Sequence, residues 1–304
     1  MAEFVVDDSR SLGDLMDDMF TSNVEFALRE QIFDPSLLAT SRLRARAGGG
    51  GGGGNLSVWY NMNIGAETET HLTGQIPWPV CHLLNWYILA RPELFEGKSV
   101  VEIGAGVGLT GLLLAEMDIA RAVHITDGQD EIMANLRANG KLAADRGRRV
   151  TVSQLRWESA EDRAAAVAHM DGCVDIILGA DILAYTLGVP KTPLLAGKEL
   201  MRLSSCDDPV FIVAYHTRFG MHHLDGVRAA AAELGMDMSE INVRNFLPRP
   251  APPPLDIFSI WDGAADWTQE EEEEAAAAAA KEEEEEGTAA MPEVMLLEFR
   301  LAKY

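Results

Sequence analysis

An apolar strand that runs into alternate glycines and then straight into a helix constrains this chain more than any other feature. The stretch is Val100-Val101-Glu102-Ile103-Gly104-Ala105-Gly106-Val107-Gly108, and the apolar segment Leu109 to Met117 follows at once. Glycine permits backbone conformations and close approaches that a β-carbon forbids, so such a turn suits a bound ligand. The helix that follows presents unpaired amides and the positive end of its dipole to the same place. A chain with this turn is expected to fold as strand, loop and helix units around a parallel sheet.

Spacing alone leaves two ligand classes open. Gly106-Val107-Gly108-Leu109-Thr110-Gly111 satisfies the GxGxxG form of dinucleotide enzymes. Asp127 lies about twenty residues further on, at the end of the next apolar run, where a carboxylate meets ribose hydroxyls. The acid-first form Glu102-x-Gly104-x-Gly106-x-Gly108 starts the turn earlier than the dinucleotide pattern does and points to a different nucleoside cofactor.

The rest of the chain alternates in the same way. Strands are expected at 98–103, 122–126, 150–155, 174–178, 210–216, 241–247 and 294–301, and helices at 109–117, 130–144 and 224–234. The fold class is therefore α/β: three layers, with a doubly wound, mostly parallel, seven-stranded sheet. Before it, residues 1–54 read as an extension with one or two helices, drawn from Leu12, Leu15, Met16, Met19 and Phe20 and more loosely Val24, Phe26 and Leu28. The seven glycines Gly48 to Gly54 end it as a linker, which puts the domain at 55–304. Residues 249–290, proline-rich and then carrying ten glutamates and one lysine between 270 and 286, are expected to be a disordered insertion before the last strand.

The net charge of -23 argues against nucleic acid as a partner, because phosphate contact needs a basic face. Cys81, Cys173 and Cys206 are odd in number and widely spaced, with no CxxC pair, so no disulfide framework is expected and a reducing compartment is. The first residues lack the basic start and apolar run of a targeting segment, and no run of ~18 apolar residues is present. These features point to the cytoplasm, with the nucleus as the alternative, and to no membrane association; a monomer is expected. His216, His222 and His223 have no carboxylate or cysteine at ligand spacing, so no metal is expected.

Five blocks, in order, resemble one family. They are Thr73-Gly74-Gln75-Ile76-Pro77-Trp78 with Leu83-Leu84-Asn85-Trp86; Glu102 to Leu112; Thr126-Asp127 with Asn135-Leu136-Arg137-x-Asn139; Val150 to Trp157; and Asp175 to Asp181. Together they are similar to the seven-β-strand protein-lysine methyltransferases known as methyltransferase family 16, with the elongation factor 2 lysine methyltransferases nearest in appearance. The resemblance implies S-adenosyl-L-methionine as cofactor, held by Trp78, Gly104, Ala105, Gly106, Asp127, Trp157 and Ala180. It implies Asp181, with Tyr185 as second, at the methyl acceptor, and a protein substrate such as a translation factor or chaperone. One departure stands out: the family carries tyrosine three places after this aspartate, whereas here Tyr185 comes one place later. A small-molecule N-methyltransferase, a nicotinamide-dependent oxidoreductase and a silent module that keeps the cofactor fold are the rival readings.

Overall fold

The computed structural model describes residues 26–34, 56–63, 74–183, 191–217, 221–255 and 294–303. The expected helix around residues 12–20, Tyr185 and the glutamate-rich stretch lie outside these. Two strands, β1 (Phe26–Phe33) and β2 (Leu56–Asn63), form a small antiparallel sheet of their own. Then come α1 (Cys81–Ala90), β3 (Ser99–Glu102), α2 (Leu109–Met117), β4 (Ala122–Asp127), α3 (Asp130–Asp145), β5 (Val150–Gln154) and α4 (Ala160–Ala168). The chain continues through β6 (Ile176–Ala180), α5 (Lys191–Leu203), β7 (Val210–His216), α6 (Met221–Glu233), β8 (Met236–Ile241) and β9 (Val294–Leu301).

The large sheet has seven strands in the order β5-β4-β3-β6-β7-β9-β8. Only β9 runs against the others, pairing antiparallel with both β7 and β8. The expected doubly wound α/β sheet is therefore present. Its central strands are apolar on both faces, as strands covered by helices on each side must be. Val100, Ile176, Leu178, Ile212 and Leu296 face one core, with α1, α2 and α3. Their neighbours Val101, Ile177, Phe211, Val213 and Leu297 face the other, with α4, α5 and α6. After β3 the chain winds outward through β4 and β5, then returns to start β6 on the other side of β3. That reversal is the topological switch, and crevices form there at the carboxyl ends of the strands.

Five expectations need correction. Residues 26–33 form a strand, not a helix: pairing with β2 and burial of Phe33 against Val58 and Tyr60 outweigh the loose helical spacing. The two strands stand on either side of the glycine run, so the division expected at residue 54 falls between paired partners. The penultimate strand is 236–241, not 241–247; Val243–Asn245 is a 3-10 turn that tucks Val243, Phe246 and Leu247 into the core. The opening of the expected insertion is packed, since Ala251 and Leu255 are buried. Finally, Cys173 and Cys206 form a disulfide, with Cα atoms 5.0 Å apart. The loops before β6 and β7 lie side by side at the amino edge of the sheet, held by Ser205 N–H to the Gly172 carbonyl at 2.8 Å, and so bring distant cysteines together. Helices α4 and α5 were not foreseen; only alanine-rich and half-polar sequence marks them.

Among the described residues no helix is long and apolar enough to cross a membrane.

Candidate active site

A cavity of about 540 Å³ opens at the switch. Its walls come from the segment before α1, the turn after β3, the ends of β4 and β5, and the turn after β6. Trp78, Gly104, Ala105, Gly106, Asp127, Trp157, Ala180 and Asp181 all line it. Those are the residues expected at the site, Tyr185 apart. Gly74, Cys81, Gln129, Glu158, Ile182 and Thr192 line it too, and the sequence reading missed them. Gln129 was within reach of inference, being two residues past Asp127. Thr192, from the first turn of α5, carried no signal.

The glycine turn is braced from beneath by two carboxyls. The Gly106 N–H donates to Asp127 Oδ2 at 2.9 Å, and the Gln129 N–H donates to Oδ1 at 3.0 Å. The Gly111 N–H, in the first turn of α2, donates to Glu102 Oε2 at 2.8 Å. The Ala105 N–H donates to the Thr126 carbonyl at 3.0 Å, and the Thr126 hydroxyl to the Glu102 carbonyl at 2.8 Å, which ties the turn to the end of β4. Gly104, Gly106 and Gly108 all have positive φ, 62°, 58° and 81°. A β-carbon on Gly106 would come within 2.6 Å of the Gly74 carbonyl oxygen. The glycines are thus required by backbone conformation and by protein packed against them, rather than by ligand approach alone.

Charge is arranged unevenly. Burial pushes the Glu102 carboxyl up to about 8, against the opposing Gly111 N–H. Burial also raises Asp127, while the N–H groups of Gln129, Gly106 and Gly128 pull it back toward ionisation. The Cys81 thiol is pushed well up by burial and then by the charges of Glu102 and Asp181. Burial thus holds it toward the neutral thiol. Asp181 sits one residue beyond β6 in the left-handed region, with φ 60°. Its N–H donates to the Ala214 carbonyl of β7 at 2.8 Å. Aspartate is one of the few non-glycine residues that accept this region, and Asp118, Asp171 and Asp208 adopt it too.

Trp157 lies beside the turn: a β-carbon on Gly104 would come within 3.1 Å of its Cζ2. Its Nε1 is buried with no hydrogen-bond partner among the described residues. A buried indole N–H usually finds an acceptor, so this wall is one a polar ligand can complete.

The chain is similar to several known proteins. The human protein-lysine N-methyltransferase EEF2KMT is 27% identical over 175 residues, covering 54% of this chain and 50% of that protein. Calmodulin-lysine N-methyltransferase of Arabidopsis thaliana is 30% identical over 106 residues, covering 34% of this chain and 33% of that one. Human methyltransferase-like protein 22 is 39% identical over 88 residues, covering 28% and 21%. The chain spans about half the length of the first of these relatives and less of the other two. Residues 60–225, more than half of the 304 residues, match the lysine methyltransferase family, and the chain belongs to that family.

Proposed function

We propose that this chain is an S-adenosylmethionine-dependent methyltransferase that transfers a methyl group to a lysine side-chain nitrogen of another protein. The observation that carries the reading is the meeting, in one cavity at the switch, of the glycine turn, Asp127, the two tryptophans and Asp181. The residues fit the cofactor. A cavity of about 540 Å³ lies in the range that small-molecule ligands occupy. Asp127 closes β4 with lone pairs left on both carboxylate oxygens, the usual arrangement for ribose hydroxyls. Trp78 and Trp157 offer apolar faces and, in Trp157, a buried donor awaiting an acceptor.

When bound, the cofactor would supply a methyl group on a sulfonium, open to attack by an unprotonated nitrogen in line with the departing sulfur, which would leave as a thioether. The chain's own residues therefore have to bind, orient and dry the acceptor. A free lysine has a pKa near ~10.4, so its ammonium must lose a proton before attack. The Asp181 carboxylate attracts the cation to the mouth of the site. Ile76, Pro77 and Trp78 form an apolar wall that favours the neutral amine once inside. No covalent intermediate on the protein is needed, so positioning accounts for most of the rate. An acidic protein suits a substrate segment rich in lysine. A cytoplasmic protein, such as a translation factor or chaperone, is the substrate class this reading favours. Tyr185 remains assigned to the same acceptor side.

Cofactor choice is tested by titration calorimetry with S-adenosylhomocysteine and, separately, NAD. Micromolar binding of the first, worth roughly 8 kcal/mol, and no heat from the second are expected. NAD binding with no response to S-adenosylhomocysteine would restore the dinucleotide reading of the glycine pattern.

A further inference from the structure

The residue after Asp181 turns inward and sits between the two halves of the site. Ile182 is 4% exposed. A β-carbon on Gly104 would come within 2.7 Å of its Cγ2, and one on Gly179 within 2.5 Å of its Cδ1. The side chain thus lies against two glycines at once. Gly104 opens the turn after β3, and its positive φ accounts for glycine by itself. Gly179 is different: it lies inside β6, where nothing in a strand backbone calls for glycine. Glycine within a strand marks a close approach, and the group that approaches here is Ile182.

The geometry of the Asp181 turn points the same way. On the β7 side, the backbone is fixed by the Asp181 N–H bond to Ala214. On the β3 side, the packing of Ile182 against Gly104 fixes it. Aspartate accepts the left-handed region, as Asp118, Asp171 and Asp208 also do, so these two contacts set where the turn lies. Close-packed interiors pass such displacements on instead of absorbing them. We propose that Ile182 is a positioning residue that sets the spacing between the glycine turn, which holds the cofactor, and Asp181, which faces the methyl acceptor. The proposal rests on the methyltransferase reading and on Asp181 as its acceptor-side carboxylate.

A pair of substitutions tests it by clash and relief. Gly179→Ala places a methyl where Ile182 Cδ1 lies, in a strand that otherwise accepts alanine. Ile182→Val removes Cδ1 and leaves Cγ1 as the nearest Ile182 atom, 3.1 Å from the new methyl. Each single variant, the double variant and wild type are compared by denaturant midpoint, by S-adenosylhomocysteine affinity, and by the initial rate of label transfer. The last uses labelled S-adenosylmethionine at saturation and a lysate of source cells lacking the protein. Gly179→Ala should lower the midpoint and cut the transfer rate about ten- to a hundred-fold, as small misplacements of reacting groups do. Its affinity for S-adenosylhomocysteine should stay within about three-fold, a shift too small to signal a lost contact. Adding Ile182→Val should restore most of both the midpoint and the rate.

If the two substitutions act additively on the midpoint, Ile182 does not wedge against Gly179 and the proposal is overturned. Should the midpoints couple while the rate of folded Gly179→Ala matches wild type, Ile182 only packs, and the positioning role is overturned. An inert wild type that still binds S-adenosylhomocysteine would instead remove the methyl-transfer reading, and the positioning role with it, leaving the midpoint cycle to decide the wedge alone.

Discussion

Asp181→Ala is expected to leave S-adenosylhomocysteine affinity within about three-fold of wild type while methyl transfer falls at least about a hundred-fold. The reason is geometric. Asp127 closes β4 and Asp181 follows β6, with β3 between them in the sheet. Two strand spacings, about 9–10 Å, separate those strand ends. One carboxylate can serve the nucleoside and the other the acceptor, but neither can serve both. Alanine at φ 60° also loses the tolerance that aspartate has for the left-handed region. Asp181→Asn keeps that tolerance and removes only the charge, so it separates the two effects. Transfer should be lost in both variants, measured as label incorporated per minute by folded protein. If the asparagine variant turns over as wild type does, Asp181 shapes the turn and its charge has no part in the chemistry.

The second large effect lies at the other end of the cavity. Asp127→Ala is expected to weaken S-adenosylhomocysteine binding at least about a hundred-fold, with the fold intact by circular dichroism. A charge-assisted hydrogen bond contributes ~1.5–3 kcal/mol, and two ribose hydroxyls would lose their acceptor. The structure adds a further cause. Asp127 also accepts the Gly106 N–H at 2.9 Å, so its removal loosens the turn itself. Asp127→Asn helps apportion the two losses. It retains a carbonyl oxygen for one backbone N–H but places an amide where the other was accepted. Unchanged affinity in a folded Asp127→Ala protein would move the ribose away from the end of β4.

Much of this architecture was legible because central parallel strands leave an unusually plain trace. β3, β4, β6 and β7 are buried on both faces, so Val100-Val101, Ile176-Ile177-Leu178 and Val210 to Tyr215 read as continuous apolar runs between turns. β8 left no such trace. It is an edge strand whose Asp237, Ser239 and Glu240 are exposed, and the turn after it is more apolar. β1 could not be seen at all from its own residues. Leu28 and Ile32 are about half exposed, and only the pairing with β2 across the glycine run makes the segment a strand. The cysteine pair was hidden for a similar reason, since 33 residues separate two loops that the sheet lays side by side.

The cavity lining followed a comparable division. Residues at strand ends, such as Asp127, Trp157 and Asp181, could be placed because a parallel sheet sends its carboxyl ends to one side. The contacts beneath them could not. Nothing in the spacing announces that Glu102 bonds Gly111, that Asp127 holds the turn as well as facing the cavity, or that Gly179 is small to admit Ile182. Sequence periodicity tells which face a residue takes. It does not tell which atoms meet once two turns from different strands are brought together.

The central claim, that the site moves a methyl group onto a protein lysine, is tested most directly by label and mass spectrometry together. Purified protein is incubated with methyl-labelled S-adenosylmethionine and a lysate of source cells lacking it, and every labelled protein band is digested and sequenced. The account predicts at least one labelled band, its label on a lysine side-chain nitrogen, present with wild type and absent with Asp181→Ala. Label confined to small molecules, or found on protein equally with and without the Asp181 carboxylate, would contradict it.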